Sequence, residues 1–222
     1  MTGNTSQALL RELLFADESL EVMAGHAAGS SSEGALSLFA TANQAVVGGD
    51  RQAAIAALEK VLGMPALETR FYLQAWCSLR LLDLLPPQAI ATRIQGVIVE
   101  VGLQEGLDIV AAYADHSARY FNYAGGGIIL ESGDSEIGGL IEELLECGQK
   151  IVDHTGTWNG TRPPAPGKDM VRINTLTFGG LHFGQAEFSV IARDPLGKPA
   201  VRAAFAMMKG LIAKQHAAEQ KP

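Results

Sequence analysis

The densest group of side chains able to do chemistry is Asp115-His116-Ser117, followed by Arg119, Tyr120, Asn122 and Tyr123. A histidine beside a carboxylate can act as a general base, and a nearby guanidinium can hold an anion. Asp115, His116 and Arg119 are therefore the candidates for a catalytic site. The same residues also spell a β-turn, because Asp and Ser bond their own backbone while the aromatics alternate along a strand. Neighbouring strand residues point to opposite faces, so one run of sequence rarely builds a site alone. His154, in the pair Asp153-His154, and His182 belong to other segments. With His116 they are the candidate metal ligands, but a zinc site needs them to converge and no His-Glu-x-x-His spacing forces that. A histidine after an acidic helix is equally explained by the helix dipole. We expect neither a bound metal nor a cofactor.

Other signatures of catalysis are missing from the sequence. Gly125-Gly126-Gly127 lacks the Lys-Ser/Thr and the helix start of a phosphate loop. No Gly-x-Ser-x-Gly elbow occurs. Cys77 and Cys147 stand apart and read as small apolar residues. The segment from Thr155 to Asp169 is long for a connection, and it carries Trp158, Arg162, Pro163 and Pro164. Proline keeps such a segment extended, while Trp and Arg dominate binding hot spots, so these four are the candidate partner-binding residues. A connector with Trp158 tucked into the core would use the same residues. Glu136, Glu142, Glu143 and Glu146 read as the solvated face of a helix.

The elements that must position these residues fall into two textures. Up to about residue 95 the chain is rich in Ala and Leu at helical spacing. Leu9, Leu10, Leu13 and Leu14 share one side of a short helix, and residues 27–34 form a Gly/Ser break. Helices are predicted over 35–47, over 51–62 behind an Asp50 cap, and over 67–84 up to Pro86-Pro87. From Gly96 the period changes. Strands are predicted over 96–102, 107–114, 119–123 and 128–131, then a helix to about 152. A hairpin follows over 171–178 and from the Gly179-Gly180 turn to about 193. The last helix starts near Pro199, with Val201, Ala204, Phe205, Met208, Leu211 and Ile212 on its apolar face. The expected fold is α+β: a helical region, 1–95, packed on an α+β domain, 96–222, whose antiparallel sheet in β-β-β-α-β-β-α order is covered by helices.

Ala42, Gly49-Asp50, Ala54-Ile55, Leu58 and Pro65 resemble one tetratricopeptide-type helical hairpin over 35–66. In that family small residues let paired helices approach closely. Leu38 departs from the usual aromatic, Val61 from the usual small residue, and Pro65 falls one residue early. The order of elements in the C-terminal half is similar to profilin-like and Roadblock-like modules.

Charge and composition bound the function. A hydrophobic fraction of 47% over 222 residues suffices for a full core. The net charge of −7, with no basic cluster, works against nucleic acid and anionic lipid. The first residues lack the basic and apolar regions of a secretory signal, and no stretch reaches the ~20 apolar residues of a membrane span. The sequence therefore reads as a cytoplasmic, non-catalytic protein-interaction or adaptor module with a protein partner, or as a homo-oligomer. The alternative is a small-molecule-binding protein or hydrolase-like enzyme built on Asp115, His116 and Arg119.

Overall fold

The structure is a computed structural model that describes residues 11–27, 34–131 and 133–220. Most of the expected break at 27–34, together with Leu9 and Leu10, lies outside the described residues.

The helical layer contains α1 (Leu20–Ala27), α2 (Ala35–Val47), α3 (Arg51–Gly63) and α4 (Thr69–Leu81). Asp50 caps α3 by accepting a 2.9 Å bond from the Ala53 N–H, as its position before the helix predicts. Phe39 and Ala42 of α2 pack on Leu58 and Val61 of α3, all fully buried. Burying side chains of this size contributes about 1.5–3 kcal/mol each for the larger ones, so this hairpin core is a principal source of local stability. α4 turns Ala75, Trp76 and Leu79 toward the helices and Leu73 toward the sheet.

α4 is shorter than the predicted 67–84 at both ends. Glu68 stays extended before it, and Asp83 takes a left-handed conformation (φ 56°) after it. α1 and the one-turn helix α5 (Gln88–Ala91) are additions to the predicted elements.

The sheet has six antiparallel strands: β1 (Ile94–Gly102), β2 (Leu107–Tyr113), β3 (Ala118–Phe121), β4 (Gly127–Leu130), β5 (Met170–Thr177) and β6 (Gly180–Glu187). Their spatial order is β4-β3-β2-β1-β5-β6, which places β1 inside the sheet between β2 and β5. The segment predicted to stay extended to 193 instead turns into α7 (Phe188–Ile191).

One face of the sheet is covered by α6 (Ser135–Val152) and α8 (Gly197–Glu219). Asp134 caps α6 through the Glu136 and Ile137 N–H groups. Ile137, Ile141, Leu144 and Ile151 are buried at helical spacing against Val97, Val99 and Ile173. A Cβ at Gly148 would come within 2.4 Å of Val97 Cγ2, so glycine is what lets α6 lie close on β1. α8 is turned slightly from the predicted face. Ala200, Ala203 and Met207 are buried with Val201, Ala204 and Leu211, while Phe205, Met208 and Ile212 are only partly covered.

The other face carries Ile98, Ile109, Ala111, Tyr113 and Leu176 and is closed by Leu14, Phe15, Ala16 and Leu73. The Tyr113 hydroxyl donates to the Leu14 carbonyl at 2.7 Å and ties this cover to β2. Among the described residues no helix is long and apolar enough to cross a membrane.

Candidate functional site

The β2–β3 turn and the start of α4 meet in a polar corner. Thr69 and Asp115 bond each other reciprocally. The Thr69 N–H donates to Asp115 Oδ2 at 2.6 Å, and the Asp115 N–H donates to Thr69 Oγ1 at 3.0 Å. The Ser117 N–H donates to Asp115 Oδ1 at 2.9 Å. Desolvation pushes the Asp115 carboxyl up, but hydrogen bonding from Ser117 and Thr69 outweighs it and holds the group below its usual range. The Ser117 hydroxyl lies close enough to contribute to that effect, yet it makes no aligned hydrogen bond.

Glu68 receives Arg70 at 2.7 and 2.9 Å and also the guanidinium of Arg119. Arg119 itself is buried, and its Nη1 has no partner among the described residues.

His116 does not join this corner. Its backbone is left-handed (φ 63°), closing the turn with an N–H to the Tyr113 carbonyl at 2.9 Å. Its ring faces α6, with Nε2 3.8 Å from Glu142 Oε1 and Nδ1 3.7 Å from where a Cβ on Gly138 would stand. Asp115 and Arg119 are thus brought together on the α4 side, and the histidine that would serve as their base points toward α6.

The three histidines are also separated. His116 sits against the beginning of α6, and the His182 ring sits at its far end between Thr155 (3.1 Å) and Thr157 (3.4 Å). Fourteen residues of helix separate Gly138 from Val152, which is about 20 Å at 1.5 Å per residue. His154 Nδ1 lies 2.7 Å from the Lys150 carbonyl at the helix terminus. No group of three His, Cys, Asp or Glu suited to a metal occurs among the described residues.

Burial lowers the His182 pKa from 6.5, the bond with Thr155 opposing that shift only in part. The folded state thus resists a proton that the unfolded chain accepts. This contribution to stability is complete above the unfolded value of 6.5 and is lost as the pH falls through and below it. His182→Gln is expected to flatten the pH dependence of the melting temperature between about pH 7 and pH 5. An unchanged slope would show that another group titrates.

A second polar centre lies beneath the Pro-rich segment. Glu100, fully buried in the middle of β1, binds Arg11 Nε at 2.5 Å and lies 3.6 Å from Arg172 Nη1. Register places Arg172 directly opposite Glu100, and Gln185 directly opposite Arg172. Asn174 Nδ2 also donates to Glu100 Oε2 at 3.1 Å. The Pro164 carbonyl accepts from Arg172 at 2.7 Å, and the Pro163 carbonyl accepts from both Arg11 and Arg172 at 3.3 Å.

Arg162 pairs with Asp17 at 2.6 Å and lies 4.4 Å from the Phe15 ring centre. Trp158 packs edge-on to Phe183 at 5.3 Å, and its backbone N–H donates to Leu181 at the sheet edge. Trp158 is 46% exposed, and of the four candidate partner-binding residues it alone is an exposed large hydrophobic side chain. Arg162, Pro163 and Pro164 spend their polar groups inside the fold. The sequence signal for this centre was a glutamate within a β-branched strand, a residue that cannot be buried without cationic or donor partners.

A mostly apolar recess lies in the helical layer. It measures about 200 Å³ and is lined by Leu13, Ala16, Met23, Leu36 and Phe71, with Glu12, Glu18 and Glu68 among its polar wall. The Arg70 in that wall is occupied by Glu68 and by the Leu13 carbonyl. Glu18 is nearly buried and faces His26 Nε2 at 3.2 Å. Periodicity could not reveal this recess, because it is formed by four separate segments.

The fold and these centres define an α+β protein with an apolar recess in its helical layer and two polar clusters on the sheet face beneath that layer. Comparison with protein-family models, with curated proteins and with solved structures found no match.

Proposed function

We propose that this chain is a non-catalytic protein-interaction module that receives an apolar anchor side chain of a protein partner in the recess between residues 11–16, α1, α2 and α4. The observation that carries the reading is the recess itself. Its volume of about 200 Å³ matches a single large side chain, and its floor is apolar. Binding hot spots have this form, one buried anchor within a ring of polar contacts. Glu12, Glu18 and Glu68 on the wall favour a partner segment with basic residues beside the anchor. The resemblance of α2 and α3 to a tetratricopeptide-type hairpin agrees with this use, since such helices serve as binding surfaces.

A photo-crosslinking residue in place of Leu13, which is 43% exposed at the rim, tests the reading in the native host. It is expected to capture one polypeptide that the same residue at the exposed position Lys198 does not. Equal capture at both positions, or none at Leu13, would overturn it.

A further inference from the structure

His182 is only 2% exposed, yet the two residues that hold its ring, Thr155 and Thr157, are both exposed. Its cover is therefore one residue thick. The hydrogen bonds fix the state of the ring. Thr155 Oγ1 donates to the Ile151 carbonyl at 2.8 Å, so toward His182 Nδ1 it can only accept. Nδ1 thus carries the ring proton, and Nε2 is left to accept from Thr157 Oγ1 at 3.4 Å. A Cβ on Gly180 would come within 2.6 Å of Thr157 Cγ2, so glycine at the hairpin turn is what admits this residue.

A second ring proton must go to Nε2, the atom to which Thr157 donates, and it brings a buried charge. Directly opposite His182 on β5 stands Thr175, and the residues beside it on the same face of β6 are Gly180 and Gly184. The charged groups at the end of α6, Lys150, Asp153 and His154, are exposed. Asp153 accepts from Gln149, and His154 Nδ1 faces the Lys150 carbonyl. Among the described residues only burial and Thr155 bear on the titration of His182. The least costly way for the folded chain to take the proton is to uncover the ring.

We infer that residues 155–161 form a proton-released strap: a proton on His182 Nε2 frees Thr157 and Trp158 from β6 without unfolding the sheet. The other ties of the strap are few. The Trp158 N–H donates to the Leu181 carbonyl at 2.7 Å, and its ring leans on Phe183. Beyond it the chain is held separately, by Arg162 on Asp17 and by the Pro163 and Pro164 carbonyls on buried arginines. Release therefore stops there. β6 is an edge strand, so opening bares the Leu181 carbonyl and one side of Phe183. The strap is held above the ordinary histidine value of 6.5, and its open fraction rises about tenfold per pH unit below it. This device stands without the interaction reading, since its residues line no part of the recess in the helical layer.

The test is amide hydrogen exchange of the full chain, followed by NMR between about pH 7 and pH 5, with protection corrected for the intrinsic rate at each pH. Protection of the Trp158 amide should stay well below that of Val99 in β1 and fall about tenfold per pH unit below 6.5. Small additions of urea should lower the Val99 protection and leave Trp158 unchanged, since releasing a strap exposes little surface. In His182→Gln the Trp158 protection should not change with pH, whereas His154→Gln at the same helix end should keep the slope. Trp158 protection that is constant with pH, that equals that of Val99, or that falls as before in His182→Gln would overturn the inference. Loss of the slope in His154→Gln would overturn it too. Melting curves check that each variant is folded. Should His182→Gln unfold, Thr157→Val decides. Loss of the bond to Nε2 should lower Trp158 protection about threefold at neutral pH, and unchanged protection would overturn the inference.

Discussion

Glu100→Ala should lower the free energy of unfolding by about 3–5 kcal/mol, the cost of leaving a buried charge without its partner. In the intact protein Glu100 is 0% exposed and holds Arg11 and Arg172, whose side chains are only 9% and 5% exposed. Removing the carboxylate leaves two guanidiniums under the Pro-rich segment with one charge fewer between them. Arg172 already feels that setting, because burial lowers its pKa while Glu100 opposes the shift. Gln185 and the Pro163 and Pro164 carbonyls still accept from Arg172, which sets the expectation toward the lower end of the range. Among the described residues Arg11 keeps the Pro163 carbonyl and the face of the Phe15 ring, and should let go of the sheet. Urea unfolding measures the loss directly. Combining Glu100→Ala with Arg11→Met and Arg172→Met should recover more than half of it, because an apolar cluster of similar volume carries no desolvation penalty. A loss below about 1 kcal/mol in the single variant would mean that the pair is solvated and pins nothing.

The particular residues show how far the sequence reaches. Asp50 and Asp134 announce their helices because a cap is a local signal, three residues long. The β-branched runs of β1 and β5 likewise announce strands. α1 is harder, being eight residues with a weak apolar pattern, although Ser19 offers its Oγ to the Val22 N–H and marks the start. α7 has no local signal. Its chain turns where Phe188 reaches the Asp169 carbonyl and Phe205, contacts made in the folded state.

The same distinction governs the sites. Asp115-His116-Ser117 is correctly legible as a turn, but the sequence cannot say that the His116 ring leaves for α6 while Asp115 turns to Thr69. Glu68, the partner of Arg119, lies 51 residues away. Glu100 and Arg172 each look out of place in an apolar strand, yet only the register of β1 on β5 makes them a pair. Trp158, Arg162, Pro163 and Pro164 have the composition of a binding loop, and composition does not distinguish an outward surface from a clasp over buried arginines.

That clasp depends on a close approach of two backbones, and Gly102→Ala should break it at a cost of about 3 kcal/mol. A Cβ on Gly102 would stand 1.9 Å from the Gly167 oxygen, 2.6 Å from its carbonyl carbon and 2.8 Å from the Pro166 oxygen. These are backbone atoms, so no rotamer change can relieve the clash and the segment must move. The Asp169 N–H donates to the Gly102 carbonyl at 2.9 Å, which ties the end of the segment to the same strand residue. Gly167 supplies the internal control. Seen from its side of the contact nothing lies within 4 Å of an added Cβ, and Gly167→Ala should be nearly neutral. A methyl group added to one partner is thus expected to destabilise strongly, and the same group on the other hardly at all. The two large effects should also be coupled. Displacing residues 163–167 removes the carbonyls that hold Arg11 and Arg172, so Gly102→Ala should cost less in a Glu100→Ala background than in the intact protein. Additive losses in that double-mutant cycle would show that the buried ion cluster and the segment above it are held independently. A coupling of about 1 kcal/mol or more would show that Glu100, the two arginines and the Pro-rich segment act as one unit.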